Sequence, residues 1–362
     1  MSAFPPAAGT PRVVVYHQTQ YHQKRYVSLQ PLVSTPGVFV THLIVAAIHV
    51  NENPGHLTLN DHPPTDPRYD VLWQECALLQ ASGTKVMGML GGAAKGTYAR
   101  LCGAAVETPS PAGTDGNTSG SDTFEAFYRP LAAFIRAKRL DGLDLDVEES
   151  TSLPGIIRLI DRLRADFGTA FILTLAPVAP ALIDPRANLS GFSYAQLEAA
   201  RGHEIAWYNA QFYCGWGTLA EPMQYANIIG RGWRPDRIVA GTVTSPNNGA
   251  GFVEMEDLAA SVIQLSEVYP TFGGVMGWEY FNSRPGGLEA PWEWAQWMTS
   301  LLGTEEGRAV AMMEAQTRKA QWQKGSTSEE KKKKKKKGKK RITAPVPTEF
   351  EYFTDGEKNE EA

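Results

Sequence analysis

The chain has 362 residues, of which 43% are hydrophobic and 20% are charged, a composition that excludes a mainly disordered protein. Residues 304–362 contain 15 basic and 11 acidic residues, so the first 303 residues contain 20 basic and 28 acidic ones and carry a net charge of −8. The acidic main body argues against nucleic acid as a partner of the folded domain, because contacts to phosphates need a basic surface.

The N-terminal arm, residues 1–11, contains prolines and lacks the apolar segment of a signal peptide. The longest apolar stretch, Leu43–Val50, is far shorter than the roughly 20 residues that a membrane span requires. Cys76, Cys102 and Cys214 have no paired spacing, which argues against a disulfide framework. We therefore expect a cytoplasmic protein without a membrane span, with nuclear targeting by a lysine-rich C-terminal segment as the alternative.

From residue 12 onward, short apolar segments alternate with segments of helical periodicity. Several of the apolar segments are continuous, as is typical of parallel strands that are covered on both faces. The predicted strands are Arg12–Thr19, Thr41–Val50, Lys85–Leu90, Gly142–Val147, Ala170–Ala176, Glu204–Tyr213, Arg237–Val243 and Gly273–Trp278, and the clearest helices are Thr123–Lys138, Leu153–Phe167 and Met255–Val268. Eight strands in alternation with helices predict a (β/α)8 TIM barrel over residues 12–302, with a doubly wound open sheet as the alternative.

The pattern changes after Leu302. Residues 303–323 are predicted to form one more helix, with Ala309, Met312, Met313 and Gln316 along one side. The charged tail that follows, residues 324–362, contains seven consecutive lysines, Lys331–Lys337. Like charges at this density repel one another and cannot bury surface, so we expect the tail to be disordered. It is interpreted as a solvated segment, with binding to anionic partners as the alternative.

The most informative segment is the predicted fourth strand with its flanking residues, residues 141–148 (DGLDLDVE). Alternate side chains of a strand share one face, so Asp144, Asp146 and Glu148 point the same way. Three carboxyl groups this close together raise the pKa of at least one of them, which keeps a proton available near neutral pH. Glu148 stands at the C-terminal end of the strand, where the active sites of such barrels lie, and is predicted to be a general acid.

Two structural alternatives compete with this catalytic interpretation. A calcium-binding loop also alternates acidic residues, but it needs a glycine at its sixth position, and Leu145 and Val147 favour a strand. A surface strand is disfavoured because the segment lies between two predicted helices of a barrel-like sequence. The seven histidines are scattered and have no metal-site spacing, and we expect no metal and no other cofactor.

The acidic segment resembles the DxxDxDxE signature of glycoside hydrolase family 18. The signature is complete here as Asp141, Asp144, Asp146 and Glu148. The resemblance extends over about residues 12–302 and includes the residues that close four other strands: Tyr16 on the first, Gly91 and Gly92 on the third, Gln211, Phe212 and Tyr213 on the sixth, and Trp278 on the eighth.

The resemblance implies a retaining mechanism in which the 2-acetamido oxygen of the substrate is the nucleophile, so that one acid of the enzyme suffices. Glu148 would protonate the leaving oxygen and then activate water. Asp146 would orient the acetamido N–H and stabilise the oxazolinium intermediate, and Asp144 would share a proton with Asp146. Tyr213 would donate a hydrogen bond to the acetamido oxygen, with Gln211 as a second polar contact.

The remaining residues of the signature have substrate-binding or structural roles by the same resemblance. Trp278 would form an apolar floor beneath the sugar, and Tyr16 would also line the substrate site. Asp141, Gly91 and Gly92 are expected to be structural. Without the resemblance, core packing would explain Trp278 and Tyr213 equally well or better.

Two departures from the family's chitinases narrow the expected substrate. Those enzymes usually close the third strand with SxGG, where this chain has methionine at position 89, and they follow the sixth-strand tyrosine by Asp or Asn, where this chain has Cys214. Segments such as Lys85–Ala94 and Gly273–Ser283 resemble instead the fungal endo-β-N-acetylglucosaminidases, which cut between the two core GlcNAc residues of N-glycans.

We therefore expect an endo-β-N-acetylglucosaminidase whose partner is a high-mannose N-glycan or another GlcNAc-containing oligosaccharide. A chitinase that cleaves chitin oligomers is the alternative enzyme. A catalytically silent carbohydrate-binding relative is the alternative without enzymatic activity, and the intact Glu148 and Asp146 argue against it.

Overall fold

The computed structural model describes residues 11–103 and 119–319, and it contains a closed barrel of eight parallel strands. The predicted TIM barrel is thereby confirmed. Its strands are β1 (Arg12–His17), β2 (His42–Val50), β3 (Lys85–Gly91), β4 (Gly142–Asp146), β5 (Ile172–Leu175), β6 (Trp207–Gln211), β7 (Ile238–Val243) and β8 (Gly274–Trp278).

Strand β1 closes the barrel because it pairs on both sides. Val14 lies opposite His42 of β2, and Arg12 lies opposite Gly274 of β8, both in parallel register. The doubly wound alternative is wrong, since an open sheet would leave two edge strands unpaired. One short antiparallel strand, Leu57–Leu59, extends β2 beyond the barrel, and Tyr21–His22 pairs with Arg25–Tyr26 in a separate hairpin.

The helices surround the barrel. Their bounds are α1 (Pro31–Ser34), α2 (Asp70–Ala81), α3 (Thr97–Cys102), α4 (Ser119–Lys138), α5 (Leu153–Phe167), α6 (Tyr194–Arg201), α7 (Met223–Gly230), α8 (Met255–Val268) and α9 (Trp292–Leu301). The start of α5 shows why the prediction there was accurate: the Ser152 side chain accepts a hydrogen bond from the Gly155 amide, and Pro154 occupies the first turn. Within the described ranges, no helix is both long and apolar enough to cross a membrane.

A further helix covers residues 305–319. The side of this helix that packs on the barrel contains Ala311 and Ala315, which are buried, whereas Met313 is 61% exposed. The reason is a close approach to α9, where the Trp297 indole nitrogen donates to the carbonyl oxygen of Ala311 at 3.1 Å and leaves room only for small side chains. The predicted N-terminal arm up to residue 10 and the charged tail, residues 324–362, lie outside the described residues.

Two apolar clusters form the core. The larger one lies between strands and helices, and a second one fills the inside of the barrel, where alternate residues of each strand point inward. On β1, Val14 and Tyr16 belong to the inner cluster and Val13 and Val15 to the outer one. Trp207, the first residue of β6, belongs to the inner cluster at the N-terminal end of the barrel, so the polar inward-facing residues lie above it, toward the C-terminal ends of the strands.

Two strand ends differ from the prediction in a way that affects the site. Strand β4 ends at Asp146, so Glu148 lies two residues beyond it. Strand β6 covers Trp207–Gln211 instead of Glu204–Tyr213. Beyond Gln211 the Phe212 amide still donates to the carbonyl oxygen of Gly241 at 3.1 Å, and Cys214 then has left-handed backbone geometry, with a φ of 54°.

Candidate active site

The predicted site residues meet at the C-terminal ends of the strands. Tyr16 is on β1, Asp144 and Asp146 are on β4, and Gln211 ends β6, while Trp278 ends β8. Glu148 and Tyr213 each follow two residues after a strand end, where the chain rises from the barrel. Loop residues at this end of the barrel are free to contact a ligand without disturbing the sheet.

Asp144 is the deepest member of the site, with 0% of its surface exposed. Its carboxylate accepts hydrogen bonds from the Tyr16 hydroxyl at 2.7 Å, the Thr174 hydroxyl at 2.5 Å and the Asn209 side-chain amide at 3.0 Å. Burial raises the pKa of Asp144, and the three hydrogen bonds oppose that rise because they favour the ionised carboxylate. Tyr16 and Asp144 were predicted among the substrate-binding residues, and in the structure they lie beneath Asp146.

Asp146 and Glu148 form a hydrogen-bonded pair above Asp144. The side-chain nitrogen of Gln211 lies 3.2 Å from Asp146 Oδ1 and 3.3 Å from Glu148 Oε1, and it also donates to the carbonyl oxygen of Ala176 at 2.9 Å. Gln211 therefore holds both carboxyl groups in one place, and the carbonyl of Ala176 fixes which end of its amide carries the hydrogens.

The surroundings of this pair favour its protonated form. Burial, together with the charges of Glu148 and Asp144, raises the pKa of Asp146 well above its ordinary range. Burial also raises the pKa of Glu148, while hydrogen bonds from Gln211 and Asp146 oppose that rise. Because the two carboxyl groups interact this strongly, they titrate as a unit, and a proton bound there belongs to the pair.

Aromatic side chains border the pair. Tyr213 is 7% exposed, and its pKa is raised well above the ordinary value by burial and by the charges of Asp146 and Glu148, so its hydroxyl remains a proton donor. The Trp278 ring is partly exposed and tilts against Tyr16, with the ring centroids 5.6 Å apart. The site thus combines a proton-carrying acid, a phenol donor and an accessible aromatic surface.

Asp141 lies at the opposite end of β4 from the other three acids. Its carboxylate accepts hydrogen bonds from the Val86 amide at 2.9 Å, the Gln80 side chain at 2.8 Å and Lys85 Nζ at 3.2 Å. It therefore ties the start of β3 and the end of α2 to β4, as a structural residue would, and takes no part in the cluster around Glu148.

Gly91, the last residue of β3, and Gly92, which follows it, touch Asp146. Both have a φ of +91°, which side chains rarely tolerate. The Gly92 amide donates to the carbonyl oxygen of Asp146 at 2.9 Å. A Cβ atom on Gly91 would lie 2.6 Å from that same carbonyl oxygen and 2.4 Å from the Tyr98 ring. The glycines thus allow the end of β3 to pack directly against the backbone that carries Asp146.

The sequence analysis missed three residues beneath the site and two beside it. Thr174 on β5 and Asn209 on β6 donate to Asp144, and the Trp207 indole donates to Asn209 at 2.9 Å. Glu149 accepts hydrogen bonds from the Gly96 and Tyr98 amides, and Glu279 from the Gln18 and Thr19 amides, which fixes two loops at the mouth of the barrel. Trp207 and Asn209 had a signal in the sequence, since residues 207, 209 and 211 share one face of a predicted strand.

Metal binding finds no support in the part of the chain that the structure describes. Residues 11–103 and 119–319 contain no group of three His, Cys, Asp or Glu side chains arranged to hold a metal ion.

Comparison with known proteins places this arrangement among carbohydrate-active enzymes, although no family model matches the chain. A chitinase of known structure from Aspergillus fumigatus is 53% identical in sequence to this chain, and the two structures superpose with a TM-score of 0.69. The alignment covers 80% of this chain and 98% of the chitinase. A fungal endo-β-N-acetylglucosaminidase from glycosyl hydrolase family 18 is 44% identical, with a TM-score of 0.72 and the same coverage.

A curated relative, Chitinase 2 of Rhizopus oligosporus, is 28% identical over 206 residues, which are 55% of this chain. The match spans 34% of that relative's length, so this chain corresponds to about a third of it.

Proposed function

Because this chain belongs to glycoside hydrolase family 18, we propose that it is an endo-β-N-acetylglucosaminidase that hydrolyses the β-1,4 bond in the N,N′-diacetylchitobiose core of high-mannose N-glycans. The observation that supports the hydrolytic chemistry is the pair of Asp146 and Glu148, held by Gln211 next to Tyr213, whereas the choice of an N-glycan rests on the loops at the mouth of the barrel.

Glu148 is the member of the pair that supplies the proton to the leaving oxygen. It is the more exposed of the two and stands beyond the strand end, whereas Asp146 is 5% exposed. When an acetamido N–H binds at Asp146, that carboxyl group must accept a hydrogen bond, so its proton moves to Glu148. From there the proton passes to the glycosidic oxygen as the bond to the anomeric carbon breaks.

The nucleophile has to come from the substrate. In glycosidases with two catalytic carboxyl groups, these groups flank the scissile bond about 5–9.5 Å apart. Asp146 and Glu148 both contact the side-chain nitrogen of Gln211, at 3.2 Å and 3.3 Å, so their carboxyl groups lie side by side and do not face each other across a sugar ring. Glu149 and Glu279 are engaged by backbone amides, so neither is free to attack. A 2-acetamido group is the nucleophile that this arrangement leaves available.

The substrate is accordingly a β-linked N-acetylglucosamine. Its acetamido oxygen attacks the anomeric carbon and forms an oxazolinium ion. The acetamido N–H donates a hydrogen bond to Asp146, and the acetamido oxygen accepts one from the Tyr213 hydroxyl. Glu148 then removes a proton from a water molecule, which attacks the anomeric carbon and opens the oxazolinium ring. This second inversion restores the original anomeric configuration. Trp278 provides the apolar surface on which the sugar rests.

The choice of an N-glycan core rests on the loops at the mouth of the barrel. After β2 the chain exposes residues 52–56 (ENPGH), and after β3 it exposes residues 93–95 (AAK). Small and polar side chains of this kind leave room for mannose branches and can hydrogen-bond to them. A linear chitin chain would bind by stacking its sugar rings on a row of aromatic side chains, and neither loop contains an aromatic residue.

A chitinase is the second candidate, favoured by the 53% identity to the Aspergillus fumigatus chitinase and by the curated chitinase relative. It would use the same acids and the same acetamido chemistry. The two candidates therefore differ in the sugars bound beyond the cleaved bond and not in the reaction at the anomeric carbon.

The deciding experiment compares a high-mannose glycoprotein with chitin oligomers, using mass spectrometry and the Glu148→Gln variant as the inactive control. We expect release of a glycan with one GlcNAc at its reducing end, with the other GlcNAc retained on asparagine. Cleavage of chitin oligomers while the glycoprotein stays intact would favour the chitinase. Proton NMR of the first product should reveal the β-anomer, and an α-anomer would contradict the substrate-assisted route.

A further inference from the structure

Asn209 lies beneath the acids, and both ends of its side chain are used. It is 0% exposed. The Trp207 indole nitrogen donates to Asn209 Oδ1 at 2.9 Å, and Asn209 Nδ2 donates to Asp144 Oδ1 at 3.0 Å. An indole N–H can only donate, so it determines which end of the amide is the oxygen. The end that faces Asp144 is therefore the NH₂ group, which cannot accept a proton from a carboxylic acid.

The other two partners of Asp144 do not impose a protonation state. The Tyr16 hydroxyl lies 2.7 Å from Oδ2, and the Thr174 hydroxyl lies 2.5 Å from the same Oδ1 that Asn209 contacts. A hydroxyl group can rotate to donate or to accept. On the side of β3, Met89 lies opposite Asp144 in the sheet register and supplies an apolar side chain. Asn209 is thus the partner that discriminates against a neutral Asp144.

Trp207 is itself held in place at the N-terminal end of the barrel. It is 3% exposed, the Arg12 guanidinium lies 4.4 Å from its ring centroid, and the His42 ring packs edge-on at 4.6 Å. Its N–H therefore has a fixed direction, and the orientation of Asn209 is determined below the site, before any substrate binds.

The titratable groups that face Asp144 are phenols and carboxyl groups. The Tyr16 hydroxyl of β1 contacts Asp144 directly, and the charge of Asp144 also affects Tyr98 of α3, Tyr194 of α6 and Tyr213 after β6. Asp146 and Glu148 follow Asp144 along the chain. The phenols stay neutral because burial raises the pKa of each. Charge at Asp144 therefore raises the pKa of Asp146, and through Asp146 it affects the proton of the pair.

We propose that Asn209, oriented by Trp207, is a positioning residue that keeps Asp144 ionised and thereby keeps the single proton of the cluster on the Asp146–Glu148 pair. The inference rests on the proposed function in one respect, that this proton is the one delivered to the substrate. A negative Asp144 makes the pair hold its proton to a higher pH. If Asp144 took up a proton of its own, the pair would lose its proton at a lower pH.

The first test needs no substrate. The full-length protein is labelled with aspartate carrying ¹³C in the carboxyl group, and the resonance that disappears in Asp144→Asn is assigned to Asp144. In the wild type this resonance should titrate at a lower pH than the one lost in Asp146→Asn. In Asn209→Leu the Asp144 titration should move up by about one pH unit, since a hydrogen bond to a charged group is lost. An Asp144 that titrates above Asp146 in the wild type would overturn the proposal.

The second test is the pH dependence of kcat/KM on whichever substrate is cleaved. The alkaline limb reports loss of the proton from the pair, so it should move to lower pH by about one unit in Asn209→Leu. Trp207→Phe removes the hydrogen bond that orients the Asn209 side chain, so its amide group can rotate by about 180°. The alkaline limb should then move in the same direction as in Asn209→Leu, but by less. Thr174→Val should move the limb by less than Asn209→Leu does, because the Thr174 hydroxyl can also accept a hydrogen bond. Thr174→Ser keeps the hydroxyl and should leave the limb unchanged.

Met89→Leu is the matched control, because it changes packing beside Asp144 without removing a donor, and its alkaline limb should stay in place. A merely structural role for Asn209 would lower kcat without moving the limb, and that result would overturn the proposal. Should Asn209→Leu fail to fold, Trp207→Phe decides the question, because it removes the hydrogen bond that orients Asn209. If neither glycoprotein nor chitin is cleaved, the proposed function fails, while the NMR titration still tests the state of Asp144.

Discussion

Replacing Gly91 by alanine tests how tightly β3 is packed against the backbone of Asp146. Gly91 has a φ of +91°, and a Cβ atom there would lie 2.4 Å from Tyr98 Cε2 and 2.6 Å from the carbonyl oxygen of Asp146. The left-handed conformation costs an alanine about 1–2 kcal/mol. Tyr98 is 0% exposed and its hydroxyl donates to the carbonyl oxygen of Leu90 at 2.7 Å, so the ring has little freedom to move away.

The contact itself should cost about 1–3 kcal/mol more, as overpacking of a core usually does. The expected total is therefore about 2–5 kcal/mol of unfolding free energy, a substantial part of the 5–15 kcal/mol that is typical of folded domains. Turnover should fall as well, because the methyl group displaces the backbone that carries Asp146.

Gly83→Ala is the matched control. Its φ is +100°, but a Cβ atom there would have no neighbour within 4 Å, so only the conformational cost of about 1–2 kcal/mol applies. Urea unfolding of both variants, followed by circular dichroism, gives the two free energies, and their difference isolates the contact. If Gly91→Ala costs no more than Gly83→Ala and turns over substrate at the wild-type rate, the packing of β3 against Asp146 does not constrain the site.

Other predictions follow from the site and the core. Glu148→Gln should lower kcat at least 10²-fold without loss of folding, because an amide delivers no proton; more than about a tenth of the wild-type rate would contradict its role. Asp146→Asn should impair hydrolysis more than the use of a preformed oxazoline donor, which starts beyond the first barrier, and equal losses would argue against substrate assistance. Burial lowers the pKa of His17 to about 3, below its ordinary 6.5, so stability is lost as the pH falls from about 6.5. His17→Phe should reduce that loss by up to about 1.4 kcal/mol per pH unit in urea titrations, and His56→Phe, at an exposed position, should not. A shortened protein that ends after Gln323 should hydrolyse substrate at the wild-type rate, since every residue of the proposed site lies in the sequence between positions 16 and 278.

Local pattern was sufficient to predict the barrel. Strands β2, β3 and β7 appear as continuous apolar segments because helices cover them outside and packed side chains fill the barrel inside. The bounds of α5 and α8 were predicted to the residue, because amphipathic periodicity is a property of neighbouring positions, and at α5 the Ser152 cap adds a second local signal. The last helix shows the limit of such patterns, since its buried face depends on where Trp297 lies.

The sequence by itself determined the identity of the acids and their alternation, because side chains two residues apart on a strand share a face whatever surrounds them. Only the tertiary structure decided what each acid contacts. Asp141 belongs to the same signature as Asp144, yet it lies at the other end of β4 and binds α2 and the start of β3. Asn209 is 65 residues from Asp144 in the chain, and their hydrogen bond exists because barrel closure brings β4 and β6 together. Protonation depends on such distant partners and on burial, and neither can be read from the spacing of residues along the chain.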